Sequence, residues 1–402
     1  MPWRTVSVSG QREEFVRLAR MPGANVSELC RRFGVVRSNG YKWLDRYAAS
    51  GAQGLIELSR RPKASPERTA LATEAEVLRI RDASNGAWGG RKIARVLERS
   101  GLAAPSPSTI TQILRRHGRL EARAGEHPGP WLRFERPHPN ELWQMDFKGH
   151  FEMDQGRCHP LTVLDDHSRY SLGLEACADE DDPTVRGRLG AIFRRYGLPL
   201  AMLADNGPPW GSAGGERWTG LQVWLMRLGV TLAHGAPYHP QTQGKDERFH
   251  RTLKAEVLQG RTFGDLAHCQ RAFDTWRAVY NHERPHQALD MQVPALSYRP
   301  SPRAFPETLP PIEYGPGDLA RKVDDKGCIS FKNRRWRIGK AFRGLPVALR
   351  PTPQDGTFAV RFGAHHISRI DLRQPATTSY CGLVDDVATS PTTPQPQQPQ
   401  PI

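Results

Sequence analysis

The chain lacks the features that would tie it to an oxidising compartment, a zinc site or a membrane. Its six cysteines (Cys30, Cys158, Cys177, Cys269, Cys328, Cys381) are scattered over 402 residues with no Cys-x-x-Cys spacing. That argues against a disulfide frame or a structural zinc site and reads as reduced thiols. No apolar run approaches the roughly 20 residues that span a bilayer. The opening Met-Pro-Trp-Arg-Thr-Val-Ser-Val-Ser-Gly has no apolar h-region, so a cytoplasmic protein is expected. The fourteen histidines do not cluster at ligand spacing, and His365-His366 reads as a loop or strand edge.

Acidic residues are scarce at both ends of the chain. Residues 1–136 hold 25 Lys+Arg against 13 Asp+Glu, a net of +12. Residues 137–300 hold 18 against 20, a net of −2, and residues 301–402 hold 14 against 9, a net of +5. Basic arms around a near-neutral middle suit a polyanionic partner, with double-stranded DNA the foremost. At 402 residues the chain exceeds one core, and about two to four domains are expected.

Residues 1–58 read as a helix-turn-helix unit. Phe15, Val16 and Leu18 have helical spacing, Ser27 suits a cap before Leu29, Cys30 and Phe33, and a third helix runs from Arg37 to Tyr47. Arg37, Ser38 and Lys42 on that last helix are candidate DNA contacts; the alternative is a plain bundle with solvated arginines. A second unit of the same kind spans 67–118, with candidate contacts Arg91, Lys92, Arg115 and Arg116 and a Ser106-Pro107 helix start. Ser59-Arg60-Arg61-Pro62-Lys63 between them is a basic linker, and 119–139 is a polar one.

From 140 to 300 the periodicity predicts β-β-β-α-β-α-β-α, a mixed five-stranded sheet with helices on its faces. The strands are Leu142–Phe147, Cys158–Leu164, Ser168–Leu174, Leu200–Leu203 and Val230–Ala233. The helices are Thr184–Tyr196, Trp218–Leu228 and Gln243–Val257. A proline-rich stretch at 301–316 precedes a small β-barrel at 317–373. The Pro/Gln-rich tail at 375–402 has too little apolar surface to fold and is expected to be disordered.

Three carboxylates stand out. Asp146 lies inside a strand among Trp143, Met145 and Phe147, where an unpartnered charge is costly. Asp205 ends the fourth strand before Asn206-Gly207. Glu247 sits in the first turns of a helix approached by the loop 238–244. In this topology the first and fourth strands lie adjacent and parallel, so both aspartates emerge near one sheet edge. Together with Glu247 they supply the oxygen ligands that Mg²⁺ or Mn²⁺ prefers. Other acids compete. Asp165 and Asp166 read as hairpin-turn residues, and Asp179-Glu180-Asp181-Asp182 as a solvated helix start. Asp246 points about 100° around its helix from Glu247, so only one of the two can face a metal. Spacing alone leaves the choice open.

The segments Gln144-Met145-Asp146-Phe147, Leu164-Asp165-Asp166-His167-Ser168-Arg169, Ala204-Asp205-Asn206-Gly207-Pro208 and His239-Pro240-Gln241-Thr242-Gln243-Gly244-Lys245-Asp246-Glu247-Arg248-Phe249 resemble the integrase-core transposases of bacterial insertion sequences. So does Tyr280-Asn281-His282-Glu283-Arg284-Pro285-His286-Gln287-Ala288-Leu289. The resemblance implies an RNase H-like catalytic core at 140–300, a DDE triad of Asp146, Asp205 and Glu247, and two Mg²⁺ per site, with Mn²⁺ able to substitute. It implies an enzyme of the bacterial nucleoid that binds the terminal inverted repeats of a mobile element. A metal-activated water would cleave the DNA ends, and the 3′-OH would be joined to target DNA by a homo-oligomer that pairs the ends. Two departures stand beside it. Forty-one residues separate Asp205 from Glu247, longer than the commoner family spacing, with Gly211–Gly215 the expected extra loop. The His/Cys zinc module of retroviral integrases is absent. Lys245 and Arg248 beside Glu247 are further candidate DNA contacts, while Arg284 and His286 are expected to fix packing. A non-catalytic DNA-binding regulator and an RNase H-type nuclease are the competing readings.

Overall fold

The computed structural model describes residues 7–57, 68–120, 135–211, 216–234 and 244–373. The linker at 59–63, the stretch at 212–215, the loop at 238–243, most of the 119–139 linker and the tail from 375 lie outside them. Residues 1–68 and 69–402 form two compact units.

In the first unit, α1 (Val8–Ala19), α2 (Val26–Arg32) and α3 (Arg37–Ser50) enclose Phe15, Val16, Cys30 and Leu55. The cap of α2 is Asn25 rather than Ser27: its Oδ1 accepts from the N–H groups of both Ser27 and Glu28, so the helix starts earlier than expected. Gly40 lets α3 approach its neighbours. A Cβ there would lie 2.5 Å from the Cys30 Sγ and 3.0 Å from the Phe15 ring. Arg37, Ser38 and Lys42 all lie exposed on the first turns of α3.

The second unit begins with α4 (Leu71–Ala83), α5 (Gly90–Arg99) and α6 (Pro107–Arg116), whose Ser106 cap and Pro107 start are as expected. Val77, Ile80, Ile93, Leu97, Ile110 and Ile113 form their core. The sheet that follows contains β1 (Leu142–Phe147), β2 (Phe151–Glu152), β3 (Arg157–Asp165), β4 (Ser171–Cys177), β5 (Ala201–Ala204) and β6 (Thr231–His234). β3 pairs antiparallel with β1 and β4, and β1 with β5 and β5 with β6 are parallel. The two-residue β2 continues the line of β1 along β3, since Phe151 pairs with Cys158 where Phe147 pairs with Leu161. The sheet is thus six strands but five wide, the expected mixed order with one short extension.

Both faces of the sheet are covered. α7 (Asp182–Tyr196) and α8 (Gly220–Arg227) bury Val185, Leu189, Phe193, Leu221 and Leu225 on one face. α9 (Gly244–Leu253) and α10 (Leu266–His282) bury Phe249, Leu253, Phe273, Trp276 and Tyr280 on the other. α10 was not anticipated, although Cys269, Phe273, Trp276 and Tyr280 recur at helical spacing.

α9 runs directly into a π-helical turn, Lys254–Leu258, which presents the buried Glu256. Glu256 accepts from Trp88 Nε1 at 3.2 Å, Trp276 Nε1 at 2.9 Å and Arg284 Nε at 3.0 Å. One carboxylate therefore fastens the α4–α5 turn, α10 and the segment after it. His286, also expected to fix packing, is buried edge-on to Tyr280 at 4.6 Å.

The C-terminal module, expected as a small barrel, is built from two antiparallel sheets. One is β7 (Leu319–Lys322), β10 (Pro346–Pro351), β11 (Thr357–Phe362) and β12 (His365–Asp371); the other is the hairpin of β8 (Cys328–Phe331) and β9 (Arg334–Arg337). They share one apolar core containing Trp336, Phe342, Val347 and Phe362. His365-His366 opens the edge strand β12. Cys30, Cys158, Cys177 and Cys269 are free and buried. Cys328 is buried at the start of β8, and Cys381 lies outside the described residues.

Two outcomes follow from this packing. Gly40→Ala is expected to cost the first unit about 1–3 kcal/mol by overpacking, read as faster amide exchange in α1–α3 of the full chain. Glu256→Ala strands the buried Arg284 and two indole N–H groups, and urea unfolding is expected to show a loss of about 3–5 kcal/mol.

Candidate active site

The pairing of β1 with β5 aligns Leu142, Trp143 and Gln144 with Ala201, Met202 and Leu203. Continued by two residues, that register sets Asp146 beside Asp205, at the roughly 4.8 Å spacing of neighbouring strands. Both side chains are half-buried. The Asp146 carboxyl is pushed up to about 7, first by burial and next by the charge of Asp205.

Backbone and side chains around the pair hold it in place. Asp205 Oδ1 accepts from the Gly207 N–H at 3.1 Å, which turns the chain away from the strand end. His234 on β6 donates from Nδ1 to the Asp205 carbonyl at 2.7 Å, and its Nε2 accepts from Gln222 Nε2 at 2.7 Å. Gln222 in turn belongs to the capping box that starts α8. On the other side, Thr162 Oγ1 donates to the Asp146 carbonyl at 2.9 Å and lies 2.9 Å from His250 Nε2. His250 Nδ1 lies 3.8 Å from Asp146 Oδ2. Burial holds His250 down to about 4, so it is neutral and brings no counter-charge to Asp146. Phe147 and Trp210 stack beside the pair at 5.6 Å. The sequence offered no pattern for Thr162, Gln222, His234 or His250 as site neighbours, because their roles depend on pairing across strands and helices.

Glu247 is exposed on α9. The buried stripe of that helix is Asp246, Phe249 and Leu253. Glu247 lies one turn before His250, on the flank of α9 that meets Asp146. Among the described residues no three His, Cys, Asp or Glu side chains already form a metal cluster. The structure therefore brings Asp146 and Asp205 together and leaves Glu247 on the adjoining helix, outside their immediate contact. Asp246 faces inward: it is 2 % exposed, and its Oδ1 has no hydrogen-bond partner among the described residues. Burial, then the charges of Asp146 and Asp166, raises its carboxyl well above the ordinary range.

Asp165 and Asp166 are indeed turn residues, and fully buried ones. Asp165 accepts from the N–H and Oγ of Ser168 and from the Asn140 N–H, closing the β3–β4 turn. Asp166 does more, accepting from Gln144 Nε2 at 2.7 Å, from the Arg136 N–H at 2.8 Å and from Lys245 Nζ.

The remaining expected DNA contacts fall into two groups. Arg91, Arg115 and Arg248 are exposed. Lys92 is half-buried beside Arg284 and Glu256, with burial lowering its ammonium to about 8. Arg116 pairs at 2.5 Å with the buried Glu74, and Lys245 is engaged by Asp166.

The donor chemistry of the pair suits a hard divalent cation, since two carboxylates forced together gain most from a shared positive charge. The proton on Asp146 has a consequence of definite sign. A carboxyl held near 7 in the fold against an ordinary 3.8 costs nothing at low pH, and destabilises progressively as pH rises from about 4 through 7. Asp146→Asn without divalent cation is expected to exceed wild type by about 1–3 kcal/mol at pH 8, and to match it at pH 4, by urea denaturation.

The chain is similar to several known proteins. Integrase core domain families match residues 136–240 and 228–294, and an IS481 family transposase C-terminal domain matches 318–378. A helix-turn-helix domain matches 11–63 and a homeodomain-like domain 39–114. An insertion element IS407 protein of Burkholderia multivorans is 28% identical over 212 residues, 52% of this chain and 74% of the relative. An insertion element IS476 protein of Xanthomonas euvesicatoria is 30% identical over 159 residues, 39% of this chain and 44% of the relative. Among solved structures, a chain of the simian T-cell lymphotropic virus intasome in complex with PP2A regulatory subunit B56 gamma aligns at 15% identity. It covers 71% of this chain and 91% of its own, with a TM-score of 0.38. With integrase-core, transposase C-terminal and helix-turn-helix domains in one chain, the protein belongs to the bacterial insertion-sequence transposases of the DDE/integrase superfamily.

Proposed function

We propose that this DNA-binding transposase cuts the ends of a mobile element and joins their 3′-OH groups to target DNA at a single site formed by Asp146, Asp205 and Glu247. The observation that carries the proposal is the side-by-side placement of Asp146 and Asp205 at the end of β1 and β5, with α9 and its Glu247 along the same edge. Mg²⁺ or Mn²⁺, two ions per site, would be held by these three carboxylates and would supply electrophilic stabilisation of the phosphoryl oxygens as charge develops.

The chain's own residues do the rest. Asp146 gives up its proton as it becomes a ligand, so cation binding releases a proton and weakens as pH falls below about 7. Thr162 and His250 fix the β1 side of the site, and His234 with Gln222 fixes the strand end at Asp205. Glu247, on a helix end, completes the set by closing toward the pair. None of the three acts as a nucleophile, so no covalent protein–DNA intermediate forms.

Terminal inverted repeats are bound by the two helix-turn-helix units. Arg37, Ser38 and Lys42 enter from α3, and Arg91 and Arg115 present positive charge from the second unit. The second unit is fastened to the core through Glu256, which sets the bound end at a fixed place relative to the site. Two ends must be paired before joining, so the working form is a homo-oligomer. Among the described residues no helix is long and apolar enough to cross a membrane.

Asp146→Asn and Glu247→Gln are each expected to lower strand joining of labelled end fragments by at least about a thousandfold, with end binding in a gel-shift assay unchanged. Joining at the wild-type rate in either variant would sink the assignment.

A further inference from the structure

Lys245 lies two residues before Glu247, where a cation is easily taken for a contact to substrate phosphate. Its surroundings point elsewhere. Its side chain is only 15% exposed, and its Nζ donates to the Asp166 carboxylate and to the Asp166 carbonyl at 3.2 Å. Asp166 is wholly buried in the turn after β3. The same carboxylate accepts from Gln144 on β1, two residues before Asp146, and from the Arg136 N–H. A buried carboxylate that spends its lone pairs on three donors leaves little room for a phosphate to compete.

The helix geometry gives this contact a purpose. Lys245 and Glu247 lie on opposite flanks of the buried stripe of α9, at about 100° per residue. The far end of the same helix is already fixed by Glu256, in contact with Trp88, Trp276 and Arg284. What remains to be set is the rotation and depth of the first turn, and that turn carries Glu247. We infer that the Asp166–Lys245 pair is a clamp that orients the first turn of α9 against β1 and so positions Glu247, making both residues positioning residues rather than DNA contacts. The clamp rests on the assignment of Glu247 proposed above, but its own test does not.

The decisive comparison uses the full chain with Lys245→Met, Asp166→Asn, the double variant and Lys245→Arg. Amide exchange of residues 244–250 is read without divalent cation, and end binding is read at several salt concentrations. Strand joining is read with Mg²⁺. The clamp predicts exchange in that turn faster by about tenfold in both single variants. Joining should fall by about a hundredfold, with the double variant no worse than either single. End affinity and its salt dependence should be unchanged, and Lys245→Arg should restore joining to within about threefold.

A phosphate contact predicts the opposite pattern. Lys245→Met alone would weaken end binding and lower the salt slope by about one, while Asp166→Asn would leave exchange and joining as in wild type. That result overturns the clamp. Should wild type itself join nothing, the Glu247 reading fails, yet unchanged exchange in Asp166→Asn would still refute the clamp and faster exchange would still support it. Asp166→Asn keeps size and shape, so the comparison survives if Lys245→Met does not fold.

Discussion

The parallel pairing of β1 with β5 is the constraint on which the candidate active site depends. Parallel neighbours in register carry residues at the same height, so acids at the same distance past the paired segment must emerge side by side. For Asp146 and Asp205 that means two like charges in a partly buried setting, and the fold bears the cost as a proton retained on Asp146 up to about 7. The Phe147 N–H and the Lys148 charge offset only part of this repulsion. His250, 3.8 Å from the Asp146 carboxyl, is kept neutral by burial. The site is built with a deficit of positive charge, which is the electrostatic condition for capturing divalent cations.

Around that pair the molecule uses buried carboxylates for two different ends. Asp165, Asp166 and Glu256 are saturated with donors and act as fasteners: a turn, a helix start and a docked helical unit each close on one of them. The half-buried Asp146 and the buried Asp246 have few donors, and both retain protons as a result. The division follows from hydrogen bonding. A buried carboxylate given N–H partners rigidifies its neighbours, whereas one left without them waits for a cation or a proton. α9 and the π-helical turn after it illustrate both uses within twelve residues, with Lys245 paired to Asp166, Asp246 inward without donors, Glu247 outward and Glu256 locked.

Much of this was legible in the sequence. The short β-prone runs at 142–147 and 158–164, and the helical spacing of Val185, Leu189, Ile192 and Phe193, marked the layers and their order, because strands covered on both faces read as apolar runs and a helix buries one stripe. Ser106-Pro107 marked a helix start that the structure reproduces. The cap at Asn25 was missed because Ser27 is also a good cap, and only the backbone decides which side chain reaches free N–H groups. α10 carries its apolar residues Cys269, Phe273, Trp276 and Tyr280 at helical spacing, but between them stand the polar Gln270, Arg271, Asp274, Thr275 and Arg277, which blur the stripe. The charges told least: Arg116 and Lys245 look like free cations in a basic chain, yet each pairs with a buried carboxylate, and Lys92 is half-buried.

By itself the sequence determined the sheet order, the helical units and the identity of three carboxylates in distinctive motifs, because periodicity and turn chemistry are local. Only the tertiary structure decided which acids meet. It placed Asp146 against Asp205, turned Asp246 inward and Glu247 outward, and gave Asp166 to Lys245. Those outcomes depend on strand register and on the rotation of one helix about its axis. Both are set by packing and hydrogen bonds between segments as far as 168 residues apart, such as Trp88 and Glu256, which no local pattern records.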